Sequence, residues 1–186
     1  MHGIVSLLDT THYAQVEEIW ADLERQFGVK GVYATPYPHF SYQVASKYNL
    51  DVLEPVMRRF AASHAPFQVN TGSIGIFTGA APVIYIGLPR GPKLASFHQE
   101  LWQALEQTGD GVQQYYQPDY WMPHITIGFR DITSDKLGDI TRYLGGRDFS
   151  WRVNIDNIAL IYDTGKGQEL KYKFTLILSA RTNQVD

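Results

Sequence analysis

Cysteine is absent from the 186 residues. That excludes a disulfide framework, a thiolate nucleophile and any cysteine-built zinc site. Long apolar runs are missing too. None approaches the ~18 residues of a membrane span, and Met1–Leu8 lacks the basic start and the apolar length of a signal peptide. A soluble, cytoplasmic protein with no membrane partner is therefore expected. There is no excess of positive charge: 16 Lys plus Arg stand against 19 Asp plus Glu, a net charge of −3. This argues against a general nucleic-acid coat, whose affinity rests on many phosphate contacts, but leaves room for a small phosphate pocket. With 44% hydrophobic residues, the chain suits one globular domain, or two closely packed lobes, burying roughly 70% of its unfolded surface.

Against this background one short pattern stands out. Pro38-His39-Phe40-Ser41 and Pro123-His124-Ile125-Thr126 both read Pro-His-x-Ser/Thr. With 9 Pro, 6 His and 21 Ser plus Thr in the chain, about 0.03 matches are expected by composition alone, and two are present. The histidines lie 85 positions apart (124 − 39). Each motif reads as a strand, in which alternate side chains share a face. His39 and Ser41 then point one way, with Phe40, Tyr42 and Val44 on the other face. His124 and Thr126 point one way, and Ile125 and Ile127 face the core. Proline suits the first residue of a strand, where a missing N–H is tolerated.

The rest of the chain supports a duplication. His2–Leu8 reads as a strand. A helix capped by Asp9 or Thr10 follows, burying Val16, Ile19, Trp20, Leu23 and Phe27 and ending at Gly28. Asn49 and Asp51 open a second helix, which Pro55 is expected to confine to a start near itself. Phe67–Phe77 and Val83–Leu88 read as strands, and Pro92 opens a third helix that Gly109–Gly111 terminate. An aromatic loop holds Tyr115, Tyr116, Tyr120 and Trp121. Thr133 or Ser134 caps a fourth helix ending at Gly145-Gly146. Trp151–Tyr162 and Leu170–Leu178 form a closing hairpin. Phe67–Phe77 overlays Trp151–Ile161 at an offset of 84, with Val69/Val153, Asn70/Asn154 and Ile74/Ile158 identical. The expected architecture is a bilobal α+β domain spanning 1–186, with repeat halves of roughly 2–80 and 82–179. Two antiparallel sheets related by a pseudo-twofold would line a central cleft, with helices outside.

Two imidazoles across a cleft suit paired acid–base catalysis, because histidine titrates near neutral pH. Ser41 and Thr126 could donate hydrogen bonds to the non-bridging oxygens of a phosphate held between them. No cofactor is called for, and no metal: neither motif carries a nearby carboxylate or third histidine of a recognisable zinc pattern.

The paired His-x-Ser/Thr motif, in its order and over essentially the whole chain, resembles the two-histidine (2H) phosphoesterase superfamily. More closely it is similar to the bacterial 2′-5′ RNA ligase-like and cyclic phosphodiesterase proteins. The resemblance implies opening of 2′,3′-cyclic phosphates on RNA ends or small nucleotides, with 2′-5′ ligation as the reverse reaction. It implies that His39 and His124 are the catalytic histidines and that Ser41 and Thr126 hold phosphate. Some RNA-ligase members carry an arginine one position nearer the second motif. Here Phe129 occupies that place and the arginine is Arg130, a shift that reverses the face of a strand. His2, His12, His64 and His98 carry no repeated pattern and read as structural. Arg90, Lys93, Lys166, Lys171 and Lys173 read as solvated surface. Tyr115, Tyr116, Tyr120 and Trp121 read as a packed lid or as candidates for base stacking. A cyclic phosphodiesterase acting as a monomer is the expected function. A non-catalytic nucleotide- or RNA-binding module that keeps the cleft is the alternative, and a structural protein carrying relic motifs a third.

Overall fold

The computed structural model describes residues 1–177. Strand β1 (His2–Leu7) leads to helix α1 (Thr10–Phe27), whose N-terminus is capped by the Asp9 side chain accepting the His12 N–H. Gly28 ends α1 at φ 67°, a left-handed conformation glycine reaches without a Cβ clash. A 3₁₀ turn at Gly31–Ala34 precedes β2 (His39–Ala45), the two-residue β3 (Lys47–Tyr48) and α2 (Leu50–Ala62). Then come β4 (Phe67–Asn70), β5 (Ser73–Phe77), β6 (Val83–Gly87) and α3 (Pro92–Ala104). The chain continues through β7 (Gly109–Asp110), a 3₁₀ turn at Gln114–Tyr116, β8 (His124–Gly128) and α4 (Ser134–Leu144). Strands β9 (Arg152–Ile155), β10 (Asn157–Asp163) and β11 (Gln168–Thr175) complete it. Leu178, the expected end of the last strand, and residue 179, the expected end of the second half, lie outside the described residues.

Four expectations are corrected. Helix α2 starts at Leu50 and carries Pro55 inside it. Pro55 sits on the exposed side, where the carbonyl one turn earlier can bond water instead, while Leu53, Met57 and Phe60 bury the opposite face. Helix α3 stops at Ala104, well before Gly109, which is in β7 and pairs with β3. Each long strand is two strands: Phe67–Phe77 breaks at Thr71-Gly72, and Trp151–Tyr162 breaks at Asp156. Finally, Val44 does not share the buried face of Phe40 and Tyr42; Gln43 is buried instead.

A β-bulge causes that last difference. In the β1–β2 ladder Ile4 faces Gln43 and Val5 faces Ser41, so Tyr42 is the extra residue. In the β6–β8 ladder Ile84 faces Gly128 and Tyr85 faces Thr126, so Ile127 is extra. Both motif strands thus carry a bulge immediately after the hydroxyl residue. A bulge bends its strand and re-aims the side chains beside it.

The sheets repeat each other. One has the order β11-β10-β1-β2 and the other β5-β6-β8, all pairs antiparallel. By strand order, and by the ladder positions opposite Ser41 and Thr126, β10-β1-β2 corresponds to β5-β6-β8. Each sheet borrows from the other half: β5 comes from the first half but completes the second lobe's sheet, while β10 and β11 come from the second half and complete the first lobe's sheet. Between the sheets β4 pairs antiparallel with β9, and Val69 faces its own equivalent, Val153. Such self-complementary pairing marks a pseudo-twofold axis. Apolar faces from all four helices and both sheets close around one main core, in which Phe40, Tyr42, Ile84, Ile86, Ile125 and Ile127 are fully buried.

A buried amide holds the first motif strand in place. Asn157, 1% exposed, donates from Nδ2 to the Leu7 carbonyl (2.9 Å) and accepts the Leu7 N–H at Oδ1 (3.0 Å). Leu7 in turn faces His39 across the β1–β2 ladder. Asn157→Ala leaves two buried backbone groups without partners, so it should destabilise the protein by about 3 kcal/mol. Urea unfolding checks this as a fall in midpoint at constant slope; a loss under ~1 kcal/mol would show that water replaces the amide.

Candidate active site

The two motifs lie on edge strands. β2 is the outer strand of one sheet and β8 of the other. The prolines are tolerated where expected: Pro38 accepts the Leu8 N–H (3.2 Å) and Pro123 the Leu88 N–H (3.1 Å), so each ladder continues through a carbonyl. His39, Ser41, His124 and Thr126 all line one cavity of about 620 Å³.

The two rings are anchored alike. His39 Nδ1 donates to the Tyr37 carbonyl, and His124 Nδ1 donates to the Met122 carbonyl at 2.7 Å. A carbonyl only accepts, so each neutral ring carries its proton on Nδ1. Nε2 is then the unprotonated nitrogen, with no hydrogen-bond partner among the described residues. Burial holds both imidazoles below the usual histidine range. His39 is pushed down to about 4, by loss of water first and then by the charge of His124, with the Tyr37 carbonyl opposing. His124 is lowered by burial, with the Met122 carbonyl opposing.

Their surroundings differ. Phe77 stands edge-on to His124 (4.8 Å between centroids), and Tyr85 lies at 5.3 Å. The Tyr85 ring reaches this place by crossing Gly75, opposite it on β5; a Cβ at Gly75 would fall 2.4 Å from the ring. No aromatic ring is stacked on His39 among the described residues. Phe77 and Tyr85 escaped the sequence reading because nothing local ties them to residue 124. The glycine opposite Tyr85 was the available signal.

Two indoles cap the open edges of the motif strands. Trp121 Nε1 donates to the Ser41 carbonyl (2.8 Å), and Trp20 Nε1 donates to the Thr126 carbonyl (3.1 Å). Trp121 comes from the loop before β8 yet binds β2, while Trp20, on α1, binds β8. Trp121 is 3% exposed and stacks on His98 at 3.8 Å. That ring is committed to packing. Tyr115 and Tyr120, in contrast, are 80% and 69% exposed at the cavity rim. Tyr116 is half-buried; burial raises its phenol pKa, and the Ser41 hydroxyl beside it acts the other way.

Phe129 lines the cavity, whereas Arg130 is exposed, outside the lining, with its guanidinium over the Phe129 ring (5.2 Å). The remaining histidines have structural partners: Asp163 N–H for His2, Asp9 for His12, the Phe60 carbonyl for His64 and the Tyr42 carbonyl for His98. Among the described residues no three His, Asp or Glu side chains are grouped to hold a metal ion, and no helix is long and apolar enough to cross a membrane.

The profile of the 2′-5′ RNA ligase superfamily matches residues 9–167. The chain therefore belongs to this superfamily, whose members are 2H phosphoesterases. Comparison with curated proteins finds no match. Among solved structures, TT0787 of Thermus thermophilus is similar, with a TM-score of 0.61 at 19% identity over 94% of this chain and 97% of that one. A crystal structure of a phosphoesterase is similar with a TM-score of 0.58 at 15% identity, over 95% and 97%. At these identities the likeness is one of fold.

The anchoring of the rings has a direct spectroscopic consequence. In the free protein both imidazoles should titrate below the ordinary histidine range, with the neutral ring's proton on Nδ1. His39 should gain its second proton only near pH 4. Side-chain ¹⁵N–¹H correlation spectra across roughly pH 3.5–8 test this, and an ordinary titration of His39 near about 6.5 would contradict the described burial.

Proposed function

We propose that this cavity opens 2′,3′-cyclic phosphodiesters of small nucleotides or RNA ends without a metal ion. The observation that carries the reading is the matched pair of imidazoles lining one cavity, each fixed through Nδ1 with Nε2 unpartnered. His39, held neutral more strongly, takes a proton from the attacking water at Nε2. The water oxygen bonds to phosphorus, the bond from phosphorus to one ribose oxygen breaks, and His124 gives its Nε2 proton to that oxygen. The arriving phosphate anion supplies the negative charge that lets His124 hold this proton, since an opposite charge nearby raises a histidine pKa. The Ser41 and Thr126 hydroxyls donate to the non-bridging oxygens, whose charge grows in the transition state. With a 5′-hydroxyl in place of water, the same course, breaking the bond from phosphorus to the 3′ oxygen, would form a 2′-5′ bond.

The test is turnover of 2′,3′-cyclic nucleotides in EDTA, with products identified by ³¹P NMR. The rate should be bell-shaped in pH and unchanged by the chelator. Thr126→Ala should lower kcat by about two to three orders of magnitude with less effect on KM, and Thr126→Ser should keep most activity. His124→Ala should cost at least as much as Thr126→Ala. Binding of cyclic nucleotide with no turnover by the wild-type chain would leave a non-catalytic binding module. Activity lost in EDTA and restored by a divalent cation would replace the mechanism.

A further inference from the structure

Among the described residues the cavity lining carries no formal charge: of the sixteen that line it, none is Asp, Glu, Lys or Arg. The surface is mostly aromatic and apolar, interrupted by the two imidazoles and by hydroxyls. Two basic side chains adjoining cavity segments in sequence or by contact are engaged elsewhere. Arg90 donates to the Pro118 carbonyl, which fixes the loop carrying Tyr120, and Arg130 lies over the Phe129 ring without joining the lining. The exposed residue beside Tyr120 is an acid, Asp119, and the chain as a whole is net negative. A protein that grips a nucleic-acid backbone needs a cation for most phosphates it contacts. Among the described residues no lining cation stands to meet a second phosphate.

The dimensions agree. A cavity of about 620 Å³ is of the size that encloses one small ligand. A binding track for several nucleotides combines a basic groove with successive stacking platforms. Here the two exposed platforms, Tyr115 and Tyr120, lie on one loop at the rim of one cavity.

Resting on the phosphodiesterase reading above, we infer that the preferred substrate is a singly charged cyclic phosphodiester bearing one flat aromatic base, a free mononucleoside cyclic phosphate rather than the end of an RNA strand. The single negative charge meets two imidazoles and two hydroxyls. The base stacks at the Tyr115 and Tyr120 rim, where a neutral aromatic surface is an asset and the adjacent acid, Asp119, disfavours a second phosphate.

Three substrates separate the possibilities: a nucleoside 2′,3′-cyclic phosphate, a hexanucleotide ending in the same cyclic phosphate, and ribose 2′,3′-cyclic phosphate without a base. The mononucleoside should exceed the hexanucleotide in kcat/KM by about tenfold or more, with less than roughly a twofold change between about 50 and 200 mM NaCl. The base-free ribose should fall about tenfold below the mononucleoside, as should the mononucleoside with Tyr120→Ala, while Tyr120→Ala leaves the base-free compound unchanged. A hexanucleotide that is preferred, or that gains steeply as salt is lowered, would overturn the inference. So would a base-free ribose that performs as well as the nucleoside. Equilibrium binding of the same three compounds to the wild-type chain, and to an H39A/H124A variant that consumes nothing, gives the same ranking independently of chemistry. If no compound is turned over, the catalytic reading falls, and the binding order alone decides whether the substrate class stands.

Discussion

The cleft depends on two hydrogen bonds from indole nitrogens to strand edges. The cavity lies where the outer strands of the two sheets, β2 and β8, approach each other as unpaired edges. An exposed edge is also a liability, since its free carbonyls and amides can pair with another strand. Trp20 and Trp121 resolve this conflict at the residue where it matters. Each covers the carbonyl of the motif hydroxyl residue and leaves the side chain beside it free. The caps cross, so that each lobe covers the other lobe's edge. The distance between the two motif strands is thereby tied to the packing of α1 and of the loop before β8. Those indoles are only 4% and 3% exposed, so the width of the cleft is set by the core.

Within that symmetric frame the two histidines are not equivalent. Their tautomers are set by the same device, a carbonyl two residues earlier, but among the described residues only His124 has aromatic rings packed against it. A duplicated unit that binds a symmetric ion could keep two identical arms. Acid–base chemistry across one phosphate needs arms that differ, one prepared to accept a proton and one to release it. The difference comes from β5 and β6, which supply Phe77 and Tyr85; β1 places Val5 where Tyr85 would be, opposite Ser41.

The parts of this arrangement that depend on short-range chemistry were legible in the sequence. The period-two alternation placed His39 with Ser41 and His124 with Thr126. The Asp9 and Thr133 caps and Gly28 bounded helices as expected. What escaped depends on partners distant in sequence. The bulges at Tyr42 and Ile127 exist only relative to β1 and β6, so the continuous alternation through Val44 failed there. The breaks at Thr71-Gly72 and Asp156 occur because each segment leaves one sheet to join another, and no strong turn sequence announces the crossing. Trp20 was assigned to the apolar face of α1, which is where it lies; its second role, through the indole N–H, required knowing that β8 passes beside it.

The borrowed strands have a consequence for how the molecule can be taken apart. Neither lobe is made from one continuous half of the chain: the first lobe's sheet contains β10, and the second lobe's sheet contains β5. A cut in the turn between Phe77 and Val83 would therefore not yield two self-sufficient modules. The first fragment would carry β5, which belongs in the second lobe's sheet, and the second fragment would carry β10 and β11, which belong in the first. The fragments should behave as complementary pieces that assemble only together. Because the exchange is mutual and nearly symmetric, a single half has in its own second copy a partner of almost the right shape.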